Sequence, residues 1–287
     1  MTIPSSTQVP SIPVPWKPSR VVLLALGAIL ALPAPVEGLD PPLTDPEIVY
    51  GPAVRLGDGS ARTYVIVESE RPLEVGVAVD QAFLTSLPED GAPGGLVMPN
   101  GHSMFEYALE MPEGHGTPFQ HATLDWIPAG HEPPGIYDKP HFDVHFYTIS
   151  AEERRAIRPD DPTFLEKGAR LPEAEFVPAG FVDPGMGAVP MMGVHLVDPT
   201  SPELRAEAPE PFTHTFLYGS WDGRLIFLEP MVTTAFLAEK HDLSFPIAVA
   251  ERYDPEGYYP ASYSIRWDDA AGEYRISLTD LAWRGGS

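Results

Sequence analysis

The sequence predicts a mainly β fold, an antiparallel sandwich or barrel with few short helices and a small β unit at the C-terminus. The chain of 287 residues contains 35 prolines and 25 glycines, and about 12% proline is more than twice the roughly 5% of average proteins. Proline removes a backbone donor and clashes with the preceding helical turn, so long helices are disfavoured. Short strand-like segments between glycines and prolines favour a sandwich or barrel over a sheet built from β-α-β units.

The predicted strands follow one another at close spacing along the chain. They alternate apolar and polar residues or are rich in β-branched and aromatic residues, and they lie at 61–68, 73–79, 104–111, 119–126, 141–149, 193–198, 212–219, 225–231, 259–267 and 273–282. Asp222-Gly223 is a strong hairpin signal between two of them. A capping box of Ser150 and Glu153 predicts one short helix after the fifth strand.

The first 38 residues predict a secretory signal peptide. A basic flank precedes an uncharged apolar run of 11 residues at 21–31, and small residues follow it. An uncleaved N-terminal anchor is the alternative, although a spanning helix needs about 20 apolar residues. The remaining chain is interpreted as a main β domain at 39–240, which carries a His-rich site, and a small C-terminal β domain at 241–287. We expect an exported protein, periplasmic or extracellular, that contacts a membrane only if the first segment is retained.

The charge balance and the missing cysteines exclude several functions. Lys and Arg number 18 against 41 Asp and Glu, which gives a net charge of −23, whereas nucleic-acid binding normally needs a basic face. The densest basic stretch, at 154–158, is interpreted as a solvated helix end. Without cysteine, neither thiolate catalysis nor disulfides are available.

The most informative pattern is the alternation of His141, Asp143 and His145 with apolar residues. On a strand, the polar residues share one face, at a cavity or the surface, and the apolar residues cover a core on the other. Positions two apart lie about 6.6 Å apart and positions four apart about 13 Å, whereas metal–nitrogen bonds measure about 2.0–2.1 Å. Asp143 can therefore share an ion with either histidine, but both histidines together require a kinked strand.

A neighbouring strand is expected to add polar residues to this face. If the predicted strands at 119–126 and 141–149 pair as a hairpin, one register places His121 opposite His145. The same register places Asp125 opposite His141.

The hairpin closed by the Asp-Gly turn is expected to supply a carboxylate. Either two-residue turn places His214 and Glu229 on the same face, and His195 lies on another short strand. The candidate metal ligands are thus His141, Asp143, His145, His195 and Glu229, with His121, His131, Tyr147 and His214 as additional site residues. Such a set suits Zn²⁺, Mn²⁺ or Fe²⁺. Alternatively, the histidines only form hydrogen bonds, with Asp143 fixing an imidazole tautomer.

Several motifs together resemble an uncharacterised family of exported bacterial proteins. They are Gly-His-Glu-Pro at 130–133, Pro-His-Phe-Asp-x-His-Phe-Tyr at 140–147 and Glu-Pro-Met at 229–231, with shorter matches at 192–195, 218–223 and 257–263. The family includes a Thermus protein controlled by an envelope-stress sigma factor, and the resemblance covers about residues 119–283. It implies a β-rich fold, a small C-terminal domain and a ring-like homo-oligomer, but no established reaction. His214 departs from the family pattern, which ranks it below His195 and Glu229.

Three functions follow as hypotheses. The first is an exported, acidic, self-associating protein that binds a divalent transition metal. The second is a metal-dependent enzyme of cupin-like logic, in which three protein ligands leave a position for water or substrate and Tyr147 or His131 moves protons. The third is a structural or ligand-binding oligomeric envelope protein without metal.

Overall fold

The structure, a computed structural model, describes residues 45–114 and 116–285. It contains 42% strand and 11% helix with antiparallel sheets, which confirms the predicted fold class. The predicted signal peptide at 1–38 lies outside the described residues. Within the described ranges, no helix combines the length and the apolar character that crossing a membrane requires.

The described chain consists of short elements, which include the predicted strands and further strands and helices that the sequence did not indicate. The strands are β1 (Glu47–Tyr50), β2 (Val54–Leu56), β3 (Gly59–Glu68), β4 (Arg71–Asp80), β5 (Leu96–Val97), β6 (Ser103–Glu110), β7 (His121–Ile127), β8 (His141–Tyr147), β9 (Val194–Leu196), β10 (His214–Trp221), β11 (Arg224–Thr233), β12 (Asp242–Pro246), β13 (Gly257–Tyr259), β14 (Ser262–Asp268), β15 (Glu273–Thr279) and β16 (Ala282–Arg284). The helices are α1 (Gln81–Leu84), α2 (Ala151–Arg155), α3 (Phe164–Ala169) and α4 (Thr234–Ala238). The predicted capping box is present at the start of α2, where Ser150 and Glu153 each accept a hydrogen bond from the backbone N–H of the other.

Within the described residues, the strands form two seven-stranded sheets and one two-stranded sheet. The first sheet has the order β1-β3-β4-β15-β14-β12, with β2 paired to β3, and the second has the order β5-β6-β7-β8-β11-β10-β9. One sheet curls as a half-barrel. β13 and β16 form the small C-terminal sheet, whereas β14 and β15 join the first sheet through the pairing of β15 with β4. The proposed domain division after residue 240 stays a prediction.

One face of the second sheet packs against the first sheet. Their shared core contains Val65, Val77 and Ile276 of the first sheet with Leu124, Val144 and Leu228 of the second. Aromatic rings bridge the sheets as well, since the ring centroids of Phe216 and Tyr263 lie 5.2 Å apart. In β7 and β8 the even-numbered residues face this core, so the odd-numbered residues point to the other side of the sheet.

The other side of the second sheet is also enclosed. All residues of β7 and β8 are buried. In a sheet with one solvent-exposed face, every second residue would instead be accessible to water. Two small apolar clusters cover this side, and they join sheet residues such as Phe227 and Met231 to residues of the connecting segments such as Ile157, Tyr137 and Phe212. The polar residues of β8 therefore lie in the interior and not at the surface.

Candidate metal centre

The register of β7 and β8 differs from the prediction by two residues. β7 extends to residue 127, which pairs with His141, so each β7 residue faces the β8 residue two positions beyond the expected one. The predicted pairs of His121 with His145 and of Asp125 with His141 are therefore wrong. Because side chains alternate, an offset of two keeps every side chain on its expected face. Asp125 thus lies on the polar face, directly opposite Asp143.

The prediction that His214 shares a face with Glu229 is wrong as well. The register of β10 against β11 shifts by one residue between Gly219 and Ser220, because Ile226 of β11 has no partner there. A one-residue shift moves all subsequent side chains to the opposite face. His214 consequently lies on the side of the first sheet, where its Nδ1 is 2.7 Å from the hydroxyl of Tyr263.

Three of the predicted residues converge in what we call the first group, His131, His141 and Asp143, whose potential ligand atoms all lie within 4.8 Å of one another. Nε2 of His131 is 3.3 Å from Oδ2 of Asp143, and Nε2 of His141 is 3.2 Å from Oδ1. Each Nδ1 lies 2.5 Å from a backbone carbonyl oxygen, that of Glu132 or of Lys139. A carbonyl accepts only, so each Nδ1 carries a proton, and each Nε2 faces the carboxylate.

The loop between β7 and β8 places His131 above the sheet. Its backbone N–H donates a hydrogen bond of 3.2 Å to the carbonyl of Tyr137. Gly130 has a φ of +76°, and a Cβ there would clash with the same carbonyl. Only glycine permits this turn without strain, and the turn brings the imidazole to Asp143.

The second group consists of His145, His195 and Glu229, again with ligand atoms all within 4.8 Å of one another. Nε2 of His145 is 3.5 Å from one oxygen of Glu229, and Nε2 of His195 is 3.6 Å from the other. The single His-rich cluster that the sequence predicted is therefore divided into two groups, with His141 in one and His145 in the other.

The carboxylate of Asp125 orients the central imidazole of the second group. Nδ1 of His145 lies 3.0 Å from Oδ2 of Asp125 and 3.4 Å from the hydroxyl of Thr123, which itself donates to Asp125. Both neighbours of Nδ1 therefore act as acceptors, and Nε2 presents its lone pair to Glu229. A carboxylate behind a histidine is the usual outer partner of a metal-ligating imidazole.

A glycine allows His195 to approach the second group from the edge strand. His195 lies opposite Gly219 in the pairing of β9 with β10, and Gly219 lies opposite Phe227 of β11. The Phe227 ring lies over this glycine, where a Cβ would clash with it. Its centroid is 4.8 Å from that of His145 and 5.2 Å from that of His195, so the ring packs against both imidazoles.

Several atoms of both groups are buried without a hydrogen-bond partner. They are Nε2 of His141, Oδ1 of Asp143, Nε2 of His145 and Oε2 of Glu229. Such atoms are rare, because burying a polar atom costs desolvation free energy, and here no hydrogen bond compensates for this cost. Each group also has one member at the rim, since the side chains of His131 and His195 are 23% exposed.

Burial determines the charge states in the second group. It lowers the pKa of His145 and of His195 to about 3, so both imidazoles are neutral near pH 7, the form that binds metals. Burial, followed by the charges of Asp143 and Asp125, raises the pKa of Glu229 well above its usual value. Without a cation, the pocket therefore disfavours the carboxylate's negative charge.

The first group behaves as an ion-pair cluster. Burial opposes ionisation of Asp143, but the charge of His141 and the contact with His131 outweigh it and hold the pKa of Asp143 below its usual range. Burial also opposes protonation of His131, and its contact with Asp143 outweighs this and raises the pKa of His131.

The other predicted site residues, His121 and Tyr147, lie beside the second group. The Tyr147 ring stacks between the rings of His121 and His145, at centroid distances of 4.8 and 5.5 Å. Burial raises the pKa of Tyr147 well above its usual value, which makes this phenol a poor proton carrier near neutral pH.

A buried ion pair that no sequence pattern predicted lies next to this stack. Arg154 of α2 makes two hydrogen bonds to Glu106 of β6, of 2.9 and 2.5 Å, and its guanidinium lies 4.8 Å from the Tyr147 centroid. The interpretation of this stretch as a solvated helix end is wrong for Arg154, because α2 directs this residue inward and leaves it 4% exposed. The alternating position of Glu106 on its strand was the available signal.

Two surface clefts lie away from both groups. One, of about 320 Å³, is lined by residues that include Glu175 and Arg252, and the other, of about 570 Å³, by residues that include Glu74 and Arg266. Neither cleft is lined by a member of the two groups.

Fold and site together define a mainly antiparallel β protein with two enclosed His/carboxylate groups that could hold metal ions. A family model described as TTHB210-like, Hypothetical protein TTHB210, matches residues 67–126. This match runs from the end of β3 into β7 and includes His121 and Asp125, but no member of either group. It overlaps the motifs at 119–283 only in its last residues. No curated protein and no solved structure matches the chain.

Proposed function

We propose that the protein binds divalent transition metal ions at the first and second groups. Four donor-to-donor distances carry this proposal. A tetrahedral ion with bonds of about 2.1 Å has its ligand atoms about 3.4 Å apart. The distances between nitrogen and carboxylate oxygen are 3.2 and 3.3 Å in the first group and 3.5 and 3.6 Å in the second.

The protonation of the histidines supports a cation in these positions. When Nδ1 carries the proton, the lone pair of Nε2 and an ionised carboxylate oxygen face each other across a dry interior and repel. A second proton on the imidazole, a proton on the carboxyl group or a cation between the atoms removes the repulsion. In the second group burial opposes the second proton on the imidazoles, since the pKa of both is about 3. A proton on Glu229 would satisfy only one of the two imidazoles, because each faces a different carboxyl oxygen, whereas a cation serves both.

The ligand types indicate the class of ion. Each group offers two imidazoles and one carboxylate, a set that suits zinc, manganese or iron, whereas calcium and magnesium prefer oxygen ligands throughout. The carbonyl oxygens behind His131 and His141, and Asp125 behind His145, would fix the imidazoles in the orientation that coordination needs.

Export and self-association complete the proposal. The apolar run at 21–31 with its basic flank supports export to the periplasm or the medium, and the motif resemblance supports a homo-oligomer. Fractionation of the expressing cells and light scattering of the purified chain test these two parts.

Metal analysis of the purified full-length chain tests the binding itself. We expect up to two equivalents of zinc after incubation with Zn²⁺ and gel filtration, and none after His131→Ala and His195→Ala are combined. His102→Ala is the matched control, because His102 is an exposed histidine paired with Asp90 outside both groups. Failure of the wild-type chain to retain Zn²⁺, Mn²⁺ or Fe²⁺ would leave a protein whose histidines only form hydrogen bonds.

A metal-dependent enzyme is the second candidate, and one observation favours it. Each group provides three protein donors, one fewer than a closed tetrahedral shell, and has a rim histidine. Three protein ligands with one free position are typical of catalytic zinc. A crystal structure of the zinc-loaded protein decides, because a water as fourth ligand supports an enzyme and a fourth protein ligand contradicts it.

A further inference from the structure

We infer that the two groups form one coupled two-ion centre, in which an ion in either group weakens the binding of an ion in the other. This inference rests on the proposed function and adds a regulation to it: over a range of metal concentrations the protein would hold one ion and not two.

The spacing of the two groups along β8 is the first argument. Asp143 of the first group and His145 of the second are two residues apart on the same face, which corresponds to about 6.6 Å along a strand. Their side chains are 6% and 0% exposed. Two bound ions would therefore be close neighbours with little water between them to screen their repulsion.

The charges around the groups are the second argument. Three carboxylates face this interior, those of Asp125, Asp143 and Glu229, and all three are buried. The nearby Glu106 is already matched by Arg154. Two divalent ions bring four positive charges against at most three negative ones, so the first ion is attracted by more uncompensated charge than the second.

Asp125 is the residue through which both groups share a countercharge. It lies directly opposite Asp143 in the sheet and 3.0 Å from Nδ1 of His145. A carboxylate at this position attracts an ion in either group, but it can compensate only one at a time.

A titration with Zn²⁺ against a competing chromophoric chelator tests the coupling in the full-length chain. His131→Ala leaves the second group intact, and His195→Ala leaves the first intact. We expect each variant to bind one Zn²⁺. The wild type is expected to bind two. Its second Zn²⁺ is expected to bind about tenfold or more weakly than Zn²⁺ binds to the same group in the variant that has only that group, within the usual range of coupling between sites.

The outcomes separate this inference from the proposed function. A wild-type curve equal to the sum of the two variant curves overturns the coupling and leaves metal binding in place. A variant that is folded by circular dichroism but binds no Zn²⁺ also overturns it, because the remaining group is then not a site. Asp143→Asn and Glu229→Gln, which keep side-chain volume, repeat the comparison if an alanine variant is unfolded. A wild type that binds only one Zn²⁺, while both variants bind one, supports the coupling in its strongest form. Absence of Zn²⁺ binding in all chains refutes the proposed function itself.

Discussion

The carboxylate of Asp125 lies 3.0 Å from Nδ1 of His145, and the side chains of both residues are fully buried. Asp125 is a member of neither His/carboxylate group, yet it determines which nitrogen of His145 carries the proton. The orientation of the second group therefore depends on a residue outside it.

Asp125→Asn is expected to weaken Zn²⁺ binding by the second group about 10–100-fold, the usual effect of losing an outer partner of a ligating histidine. The amide keeps the size of the side chain but cannot ionise to stabilise the polarised imidazole. Chelator competition in the His131→Ala background, where only the second group remains, measures the change. Asp90→Asn, on the exposed Asp90 beside His102, is the matched control and is expected to leave the affinity unchanged. Equal affinities with and without Asp125→Asn would contradict this role.

Gly219→Ala is expected to destabilise the fold by about 1–3 kcal/mol, as overpacking does, and to weaken the second group. A Cβ at this position clashes with the ring of Phe227, which packs against His145 and His195. Urea unfolding gives the free energy of unfolding, and zinc competition gives the affinity. The double variant Gly219→Ala with Phe227→Leu provides space for the methyl group and is expected to recover part of the stability. If it recovers nothing, the clash is not the cause.

Zn²⁺ is expected to raise the thermal stability of the wild type. An ion that binds only the folded chain adds about 2.7 kcal/mol to the free energy of unfolding when its free concentration is one hundred times its dissociation constant. Thermal unfolding with and without Zn²⁺ measures this effect. The His102→Ala variant is expected to show the same gain, and the combined His131→Ala and His195→Ala variant none. A gain that survives in the combined variant would mean that Zn²⁺ binds elsewhere.

His214→Phe is expected to leave zinc stoichiometry unchanged and to reduce the loss of stability at acid pH. Burial, followed by the charge of His241, lowers the pKa of His214 to about 4. The unfolded chain, with a histidine pKa of about 6.5, binds more protons than the folded chain between these values, so stability falls as the pH decreases from about 6.5 to 4. Urea unfolding of the metal-free wild type and variant at pH 7.5 and pH 5 compares the two slopes. Equal changes in stability between the two pH values would show that a buried His214 does not cause the loss at acid pH. A lower zinc stoichiometry of the variant would show that His214 contributes to the metal site.

The alternation of side chains made much of the fold predictable. The strand pair β3 and β4, the hairpin of β10 and β11 and the Ser150 capping box all follow from local patterns, because such patterns act between residues that are close in sequence. Alternation also placed His141, Asp143 and His145 on one face. The distance of about 13 Å across four strand residues fits the structure, in which His141 and His145 belong to different groups.

The errors arose where long-range packing overrides local pattern. The register shift between Gly219 and Ser220 leaves Ile226 of β11 unpaired, and nothing in the two-residue turn of this hairpin encodes it. The register of β7 against β8 depends on the loop between them. Gly130 and the hydrogen bond from the backbone N–H of His131 to the carbonyl of Tyr137 determine the path of this loop. The burial of Arg154 depends on a partner, Glu106, that is 48 residues away in sequence.

The exposure of a single imidazole in each group has a kinetic consequence. Water reaches His131 and His195, whereas His141 and His145 are fully covered and Asp143 and Glu229 nearly so. If ions bind as proposed, a chelating agent in solution would reach an ion only after the exposed histidine has changed its side-chain conformation. The rate of metal removal would then reach a constant value at high concentrations of the chelating agent, because the conformational change of one side chain, and not the collision with the agent, would be rate-limiting.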